Sequence, residues 1–334
     1  MPFKIRPLFL GLTLAALACS ASAGWAAPTV CTSPGSYDFK IAVASNFFDA
    51  AQNLVLDFTA PGAPGAGLTV NICQNATTEL LGEITAGSSG YALFLAANAA
   101  APDSLVHSIY VPHHAASKLY AYGVPVMFAP YNPPSGLQDV QTLIPGVASG
   151  VAATVDSVVT STYALNPTTS ATVAVADPTQ APYGQAAVSI ILDMGLVSTW
   201  NPPTSPTWVA YPLYPNIDLT FQSVTTGSPP PNTTGFVSKG QICSGIGDNP
   251  LLYIYIEFTN SKYTLTQKGI LVKAGNATQD GYGRSLFNFM LHNSDPSYWS
   301  NFLEENCYGQ ITGSRFFKHT GIFQHKKKPV RRKR

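Results

Sequence analysis

The feature that most restricts the fold is a regular alternation of short apolar runs with helical stretches. Lys40–Ala44 (KIAVA) reads as a strand, and Phe47, Ala51, Leu54, Val55 and Phe58 then recur at helical spacing. Gly67–Cys73 alternates as a strand, Thr77–Ala86 reads as a helix stopped by Gly87, and Tyr91–Ala97 reads as a buried strand. This β-α-β-α-β order predicts a parallel, doubly wound sheet. A second set follows, with strand Thr172–Ala176, helices Gly184–Met194 and Ile217–Thr226, strand Thr234–Ser238 and a closing helix Arg284–Asn293. The chain has 334 residues, so two such units are expected at roughly 100–200 residues per domain. Hydrophobic residues make up 46% of it, enough to fill two cores. The stretches 131–170 and 197–215, rich in Pro, Ser and Thr, read as surface loops.

The first 23 residues have the layout of an export signal. Lys4 and Arg6 form a positive start, Leu8–Ala18 an apolar centre, and Ala21-Ser22-Ala23 a small-x-small cleavage site. The apolar centre is shorter than the about 20 residues that a membrane span needs. Cleavage after Ala23 is the first reading, and lipidation at Cys19 is the second. No later run of 18 apolar residues occurs, so the mature chain is expected to be soluble and periplasmic or secreted. Cleavage leaves Cys31, Cys73, Cys243 and Cys307, an even count that favours two disulfides in an oxidising compartment. Three pairings are possible, and free buried thiols are the other reading. Cys31–Cys73 with Cys243–Cys307 is preferred, because each would tie a segment near one chain end to neighbouring structure.

Charge excludes one class of function. The last ten residues carry seven basic groups, while the span 24–325 carries nine basic and seventeen acidic residues, a net of −8. Such a body disfavours nucleic-acid binding, which needs a positive surface. Enzyme motifs are also missing: there is no G-x-S-x-G elbow, no HExxH and no GxxxxGK[ST] loop. Asp177, before Pro178, reads as a turn residue rather than a catalytic one. No metal-ligand spacing stands out, and the adjacent His113 and His114 read as surface residues.

Four strand–helix junctions carry small polar residues: Ala44-Ser45-Asn46, Asn75-Ala76-Thr77-Thr78, Ala181-Pro182-Tyr183-Gly184 and Pro215-Asn216-Ile217. Open α/β sheets bind ligands beyond the carboxyl ends of their strands. Each helix start offers unpaired N–H groups and a partial positive charge. Four such starts aimed at one point would hold an anion without Lys or Arg. Ordinary helix capping by Ser, Thr and Asn is the competing explanation for each junction.

The same junctions resemble those of the periplasmic molybdate-binding proteins of ABC transporters, a type II periplasmic-binding-protein family. The matching stretches are IAVASNFFDAAQNLVLDF (41–58), NATTELLGEITAGSSGYALFLAAN (75–98) and VAVADPTQAPYGQAAVSIILDMGL (173–196). Weaker matches are NIDLTFQSVTTG (216–227) and YTLTQKGILV (263–272), so that the resemblance spans roughly 38–312. It implies an α/β, two-lobed periplasmic-binding-protein fold, each lobe a doubly wound sheet flanked by helices, joined by a two-crossing hinge. Lobe 1 would be 38–125 with 262–312, lobe 2 would be 126–261, and the crossings would lie near Val124–Pro130 and Glu257–Lys262. The implied ligand is a tetrahedral oxyanion, molybdate or tungstate, in the interlobe cleft. Ser45, Asn46 and Thr77 would donate from lobe 1, and Tyr183 and the backbone of Ile217 from lobe 2. The resemblance implies a monomer that hands its ligand to an ABC permease, with no cofactor and no catalysis.

Two rival readings remain open at this point. One is a binding protein for another oxyanion such as sulfate or phosphate. The other is a non-transport extracellular protein, for which the low charge and Thr/Pro-rich loops would suit. The tail 313–334 is expected to be a solvated, disordered extension, with docking to an anionic membrane surface as the alternative.

Overall fold

The computed structural model describes residues 27–33, 35–87, 89–130, 152–155, 171–195, 197, 199–200, 209–226, 232, 234–245, 253–292, 295 and 297–309. The export signal with Cys19, the basic tail and most of the 131–170 loop lie outside these residues. The described chain builds two mixed sheets, each with helices on its faces.

The first sheet has strands β1 (Val30–Cys31), β2 (Phe39–Ala44), β3 (Val70–Asn75), β4 (Tyr91–Leu95), β5 (Lys118–Gly123) and β13 (Leu265–Leu271), in the order β1-β3-β2-β4-β13-β5. Strand β2 is central, and its side chains alternate between two cores. Phe39, Ile41 and Val43 pack with Leu54 and Phe58 of helix α1 (Phe48–Thr59) and with Leu286 and Met290 of helix α7 (Ala277–Leu291). Ala42 points the other way, into a core with Leu80 and Ile84 of helix α2 (Thr77–Thr85) and Ile270 of β13. Burial on both faces is why β2 reads as a continuous apolar run rather than an alternating one. Helix α3 (Ala100–Leu105) covers the same face as α2, and helix α8 (Tyr298–Glu305) the face of α1 and α7.

The second sheet holds β6 (Pro125–Pro130), β7 (Ala152–Val155), β8 (Ala171–Ala176), β10 (Leu213–Tyr214), β11 (Thr234–Ser238) and β12 (Tyr253–Phe258), in the order β10-β8-β11-β6-β12-β7. Strand β9 (Val209–Ala210) pairs with β8 beside it. Val173 and Val175 pack against Ala187, Ile190 and Ile191 of helix α4 (Pro182–Asp193). Ala174 and Ala176 face helix α5 (Ile217–Thr225) through Ile217 and Val224. A short helix α6 (Lys239–Gly245) follows β11 directly.

Both sheets depart from the all-parallel expectation in the same way. β13 runs antiparallel to β4 and β5, and β6 runs antiparallel to β11 and β12. These reversed strands are the ones that carry the chain between the sheets: β5 passes to β6 through Val124 alone, and β12 passes to β13 through residues 259–264. In each sheet the reversed strand is the one by which the chain enters from the other lobe. The second connection is anchored by Lys262 and Tyr263, which both reach Asp193 at the end of α4, at 2.6 and 2.7 Å. Disulfides join Cys31 to Cys73, and Cys243 of α6 to Cys307 just beyond α8. No described helix is long and apolar enough to cross a membrane.

Candidate functional site

The four junctions differ from ordinary capped helices. The residues that precede the first turns after β2, after β3 and at α4 are Ala44, Ala76 and Ala181, and none provides a side-chain cap. Alanine is among the poorest N-cap residues, so no cap side chain claims the N–H groups of these first turns, although α4 opens on Pro182, which has none. Ser45 and Thr77 stand one place inside the helix, where they cannot serve as the cap. Only the α5 start is conventionally capped, by Asn216, whose side chain accepts from the N–H of Leu219 at 2.9 Å.

These starts meet between the two sheets. The N–H of Thr78, in the first turn of α2, donates to the carbonyl of Gln180, just before α4 (3.3 Å). Asn216 Nδ2 reaches Asn75 Oδ1 at 3.5 Å, which brings the α5 start beside the α2 start. Helix α5 also packs against the single 3-10 turn Ser45–Phe47 that follows β2. The close seating of α4 on β8 depends on Gly184: a Cβ there would stand 2.2 Å from the carbonyl oxygen of Ala176.

Beneath the junctions lies a buried polar network around Gln267 of β13. Its Oε1 accepts from Asn46 Nδ2 (3.3 Å) and from the Tyr120 hydroxyl (2.9 Å), and its Nε2 donates to the Tyr183 hydroxyl (2.9 Å). Ser238 Oγ donates to the same Tyr183 oxygen at 3.0 Å. With two donors on that oxygen, the Tyr183 proton is left to be donated. Burial pushes the Tyr183 hydroxyl well above the usual tyrosine range, against the pull of its hydrogen bonds from Ser238 and Gln267, so it stays protonated. The network crosses the hinge, since Gln267, Tyr120 and Asn46 belong to the first lobe and Tyr183 and Ser238 to the second. Gly123, at the first hinge crossing, makes room for it: a Cβ would lie 2.0 Å from the Tyr183 hydroxyl and 2.2 Å from Gln267 Nε2.

The five residues expected from the sequence to hold the ligand are buried: Ser45, Asn46, Thr77, Tyr183 and Ile217 are each at most 5% exposed. Asn46 and Tyr183 share the Gln267 network. Thr77 Oγ1 accepts from the N–H of Ala97 at 3.1 Å, which ties the α2 start to the end of β4 and leaves its proton to donate. Ile217 opens α5 directly after its cap. Ser45 Oγ and Asn46 Oδ1 are buried without a hydrogen-bond partner among the described residues. Gln267, Tyr120, Ser238 and Gly123 were not legible as site residues, because in sequence they are ordinary strand positions. His113 and His114 lie exposed in a turn with ring centroids 3.8 Å apart, away from these junctions.

The charges beside the site are acidic. Asp218, in the first turn of α5, has its carboxyl raised above the usual range, first by burial and next by the charge of Asp49 in α1. Gln222 donates to Asp218 at 2.8 Å. No Lys or Arg belongs to the network or to the four junctions. The arrangement can therefore receive a small anion through neutral donors and helix starts, with the carboxyls as its electrostatic limit.

The comparisons with known proteins match this fold. The model of the family described as bacterial extracellular solute-binding proteins matches residues 39–246. Among solved structures, the Azotobacter vinelandii periplasmic molybdate-binding protein is 17% identical, with a TM-score of 0.58, covering 81% of this chain and 99% of its own. The sulfate-binding protein SubI of Mycobacterium tuberculosis H37Rv is 12% identical, with a TM-score of 0.53, covering 82% and 87%. Iron-bound HitA of Pseudomonas aeruginosa is 11% identical, with a TM-score of 0.51, covering 85% and 90%. At such identities the likeness is one of fold. No curated protein sequence matches the chain.

Proposed function

The chain belongs to the bacterial extracellular solute-binding proteins, and from that premise we propose that it captures a tetrahedral oxyanion between its lobes and delivers it to an ABC permease. The favoured ligand is molybdate or tungstate. The observation that carries the reading is the set of three alanine-preceded, uncapped helix starts gathered at one place. Their N–H groups other than those of Thr78 and Gly184, which donate to the Gln180 and Ala181 carbonyls, form a neutral donor set with the hydroxyls of Ser45, Thr77 and Tyr183. Neutral donors suit a dianion in a cleft that opens and closes, because no buried counter-charge is left unpaired when the ligand leaves. Each hydrogen bond to a charged acceptor contributes about 1.5–3 kcal/mol. The residue-level likeness of 41–58, 75–98 and 173–196 to the molybdate-binding family supports that choice of ligand.

A second reading, a smaller oxyanion such as sulfate or phosphate, draws on the direct contacts between the lobes at Thr78–Gln180 and Asn216–Asn75, which leave less room for the ligand. Isothermal titration of the mature protein with molybdate, tungstate, sulfate and phosphate separates the two. One-to-one binding of the larger pair only supports the favoured ligand. Binding of sulfate or phosphate alone moves the assignment to the second reading, and heat from none of the four rejects oxyanion capture.

A further inference from the structure

We propose that the Cys243–Cys307 disulfide is an interlobe brace that limits how far the lobes part and holds one wall of the candidate site in place. Its two halves belong to different lobes. Cys243 lies in α6, which continues directly from β11 of the second sheet and is tied to β12 by the Lys239–Glu257 ion pair at 2.8 Å, while its other side packs against α1 and the Ser45–Phe47 turn of the first lobe. Cys307 lies beyond α8, whose Phe302 and Leu303 pack in the first lobe's core, and the segment after it pairs with β5 through Tyr122 and Gly309. The bond is therefore a third, covalent crossing beside the two chain crossings at Val124 and 259–264.

The brace also touches the site. Cys307 adopts a left-handed backbone, φ 60°, so that the chain turns sharply at this residue. The next residue, Tyr308, is buried and donates its hydroxyl to the carbonyl of Asn46. On the other side Tyr308 presses on α6: a Cβ on Gly240 would lie 2.4 Å from its ring. The covalent link, the Tyr308 ring and the Asn46 turn form one continuous path from the back of the hinge to the candidate ligand residues. The Cys31–Cys73 disulfide has no such reach, since both of its strands belong to the first sheet.

The inference on lobe opening needs only the two-lobed fold, while its consequence for affinity rests on the oxyanion reading above. The test compares wild type, Cys243→Ser/Cys307→Ser and Cys31→Ser/Cys73→Ser by small-angle X-ray scattering without ligand and by molybdate dissociation kinetics. Loss of the brace should raise the radius of gyration of the hinge-disulfide variant alone. Its binding-competent closed fraction should fall, and a fall to a tenth weakens apparent affinity about tenfold. Should the double variant fail to fold, the folded wild type is treated with dithiothreitol and alkylated. Dithiothreitol then gives up two electrons and closes its own ring disulfide, while Cys243 and Cys307 become two thiols, identified by mass spectrometry. The same rise in radius is expected, with Cys31→Ser/Cys73→Ser reduced alongside to remove the contribution of the other disulfide. An unchanged radius of gyration in folded protein lacking the Cys243–Cys307 bond overturns the brace. If wild type binds none of the anions, the functional reading fails while the scattering comparison still decides the brace.

Discussion

At the scale of single residues, Tyr183 is the most informative position. Its hydroxyl receives two hydrogen bonds from groups of opposite lobes and keeps a proton to give. Tyr183→Phe is expected to weaken oxyanion binding by about 1.5–3 kcal/mol, roughly one to two orders of magnitude in Kd, read by titration calorimetry. The same change strands Gln267 Nε2 and Ser238 Oγ, so denaturant unfolding should show a loss of about 1–3 kcal/mol. Asp218 gives a pH signature. Its carboxyl is raised above the ordinary aspartate value near 4, so it begins to ionise at higher pH than an exposed Asp. Above that pH its negative charge opposes an anion, and below it the charge is gone. Asp218→Asn should therefore tighten oxyanion binding at neutral pH, and the gain should fade as pH falls toward about 4, at a higher pH than for an exposed Asp. A gain that is the same at every pH would show that Asp218 acts by shape rather than charge. Placement at a strand–helix junction was readable from sequence for Ser45, Asn46, Thr77 and Tyr183, because each follows a short apolar run closely. Gln267 and Gly123 were not readable, because their roles arise from the hinge bringing β13 and β5 under a helix from the other lobe, and nothing local in YTLTQKGILV marks that.

At the scale of elements, the sequence made β2, α2, β4, β8, α4, α5 and β11 visible, because each is a run with one clear period and a clean stop. It left β5, β6, β12 and β13 unassigned as strands. Their pattern is diluted by Tyr, Lys and Gln that serve the hinge and the surface, and their antiparallel placement depends on the chain crossing between lobes. The helix starts offer a sharper point. Junction polarity had ordinary capping as its simplest explanation, yet the cap positions proper are Ala44, Ala76 and Ala181. A helix start left uncapped gives up stability that a Ser would supply, about 0.5–2 kcal/mol. Ala76→Ser is therefore expected to raise the unfolding midpoint while weakening oxyanion binding, since the new hydroxyl claims N–H groups that the ligand would use. If stability and affinity rise together, the uncapped starts are not the binding surface. The intralobe disulfide closes a segment of 42 residues, and removing it by Cys31→Ser/Cys73→Ser should lower stability by about 4 kcal/mol in the chain-entropy account, measured by denaturant unfolding.

At the scale of the whole molecule, two units follow from the sequence once the two βα sets are counted, and the hinge between them was implied by the resemblance to the molybdate-binding family. The body is acidic overall, and the ion pairs Lys239–Glu257, Lys262–Asp193 and Lys268–Asp103 engage their lysines away from the junctions. Capture of an anion by such a molecule has to come from aligned backbone donors and hydroxyls rather than from net charge. The most direct test is thermal unfolding of the mature protein with molybdate, tungstate, sulfate and phosphate at matched ionic strength. A ligand present at 100 times its Kd adds about 2.7 kcal/mol of stability and raises the midpoint. The account predicts a rise with molybdate and tungstate that Tyr183→Phe reduces. No rise with any of the four anions would contradict it.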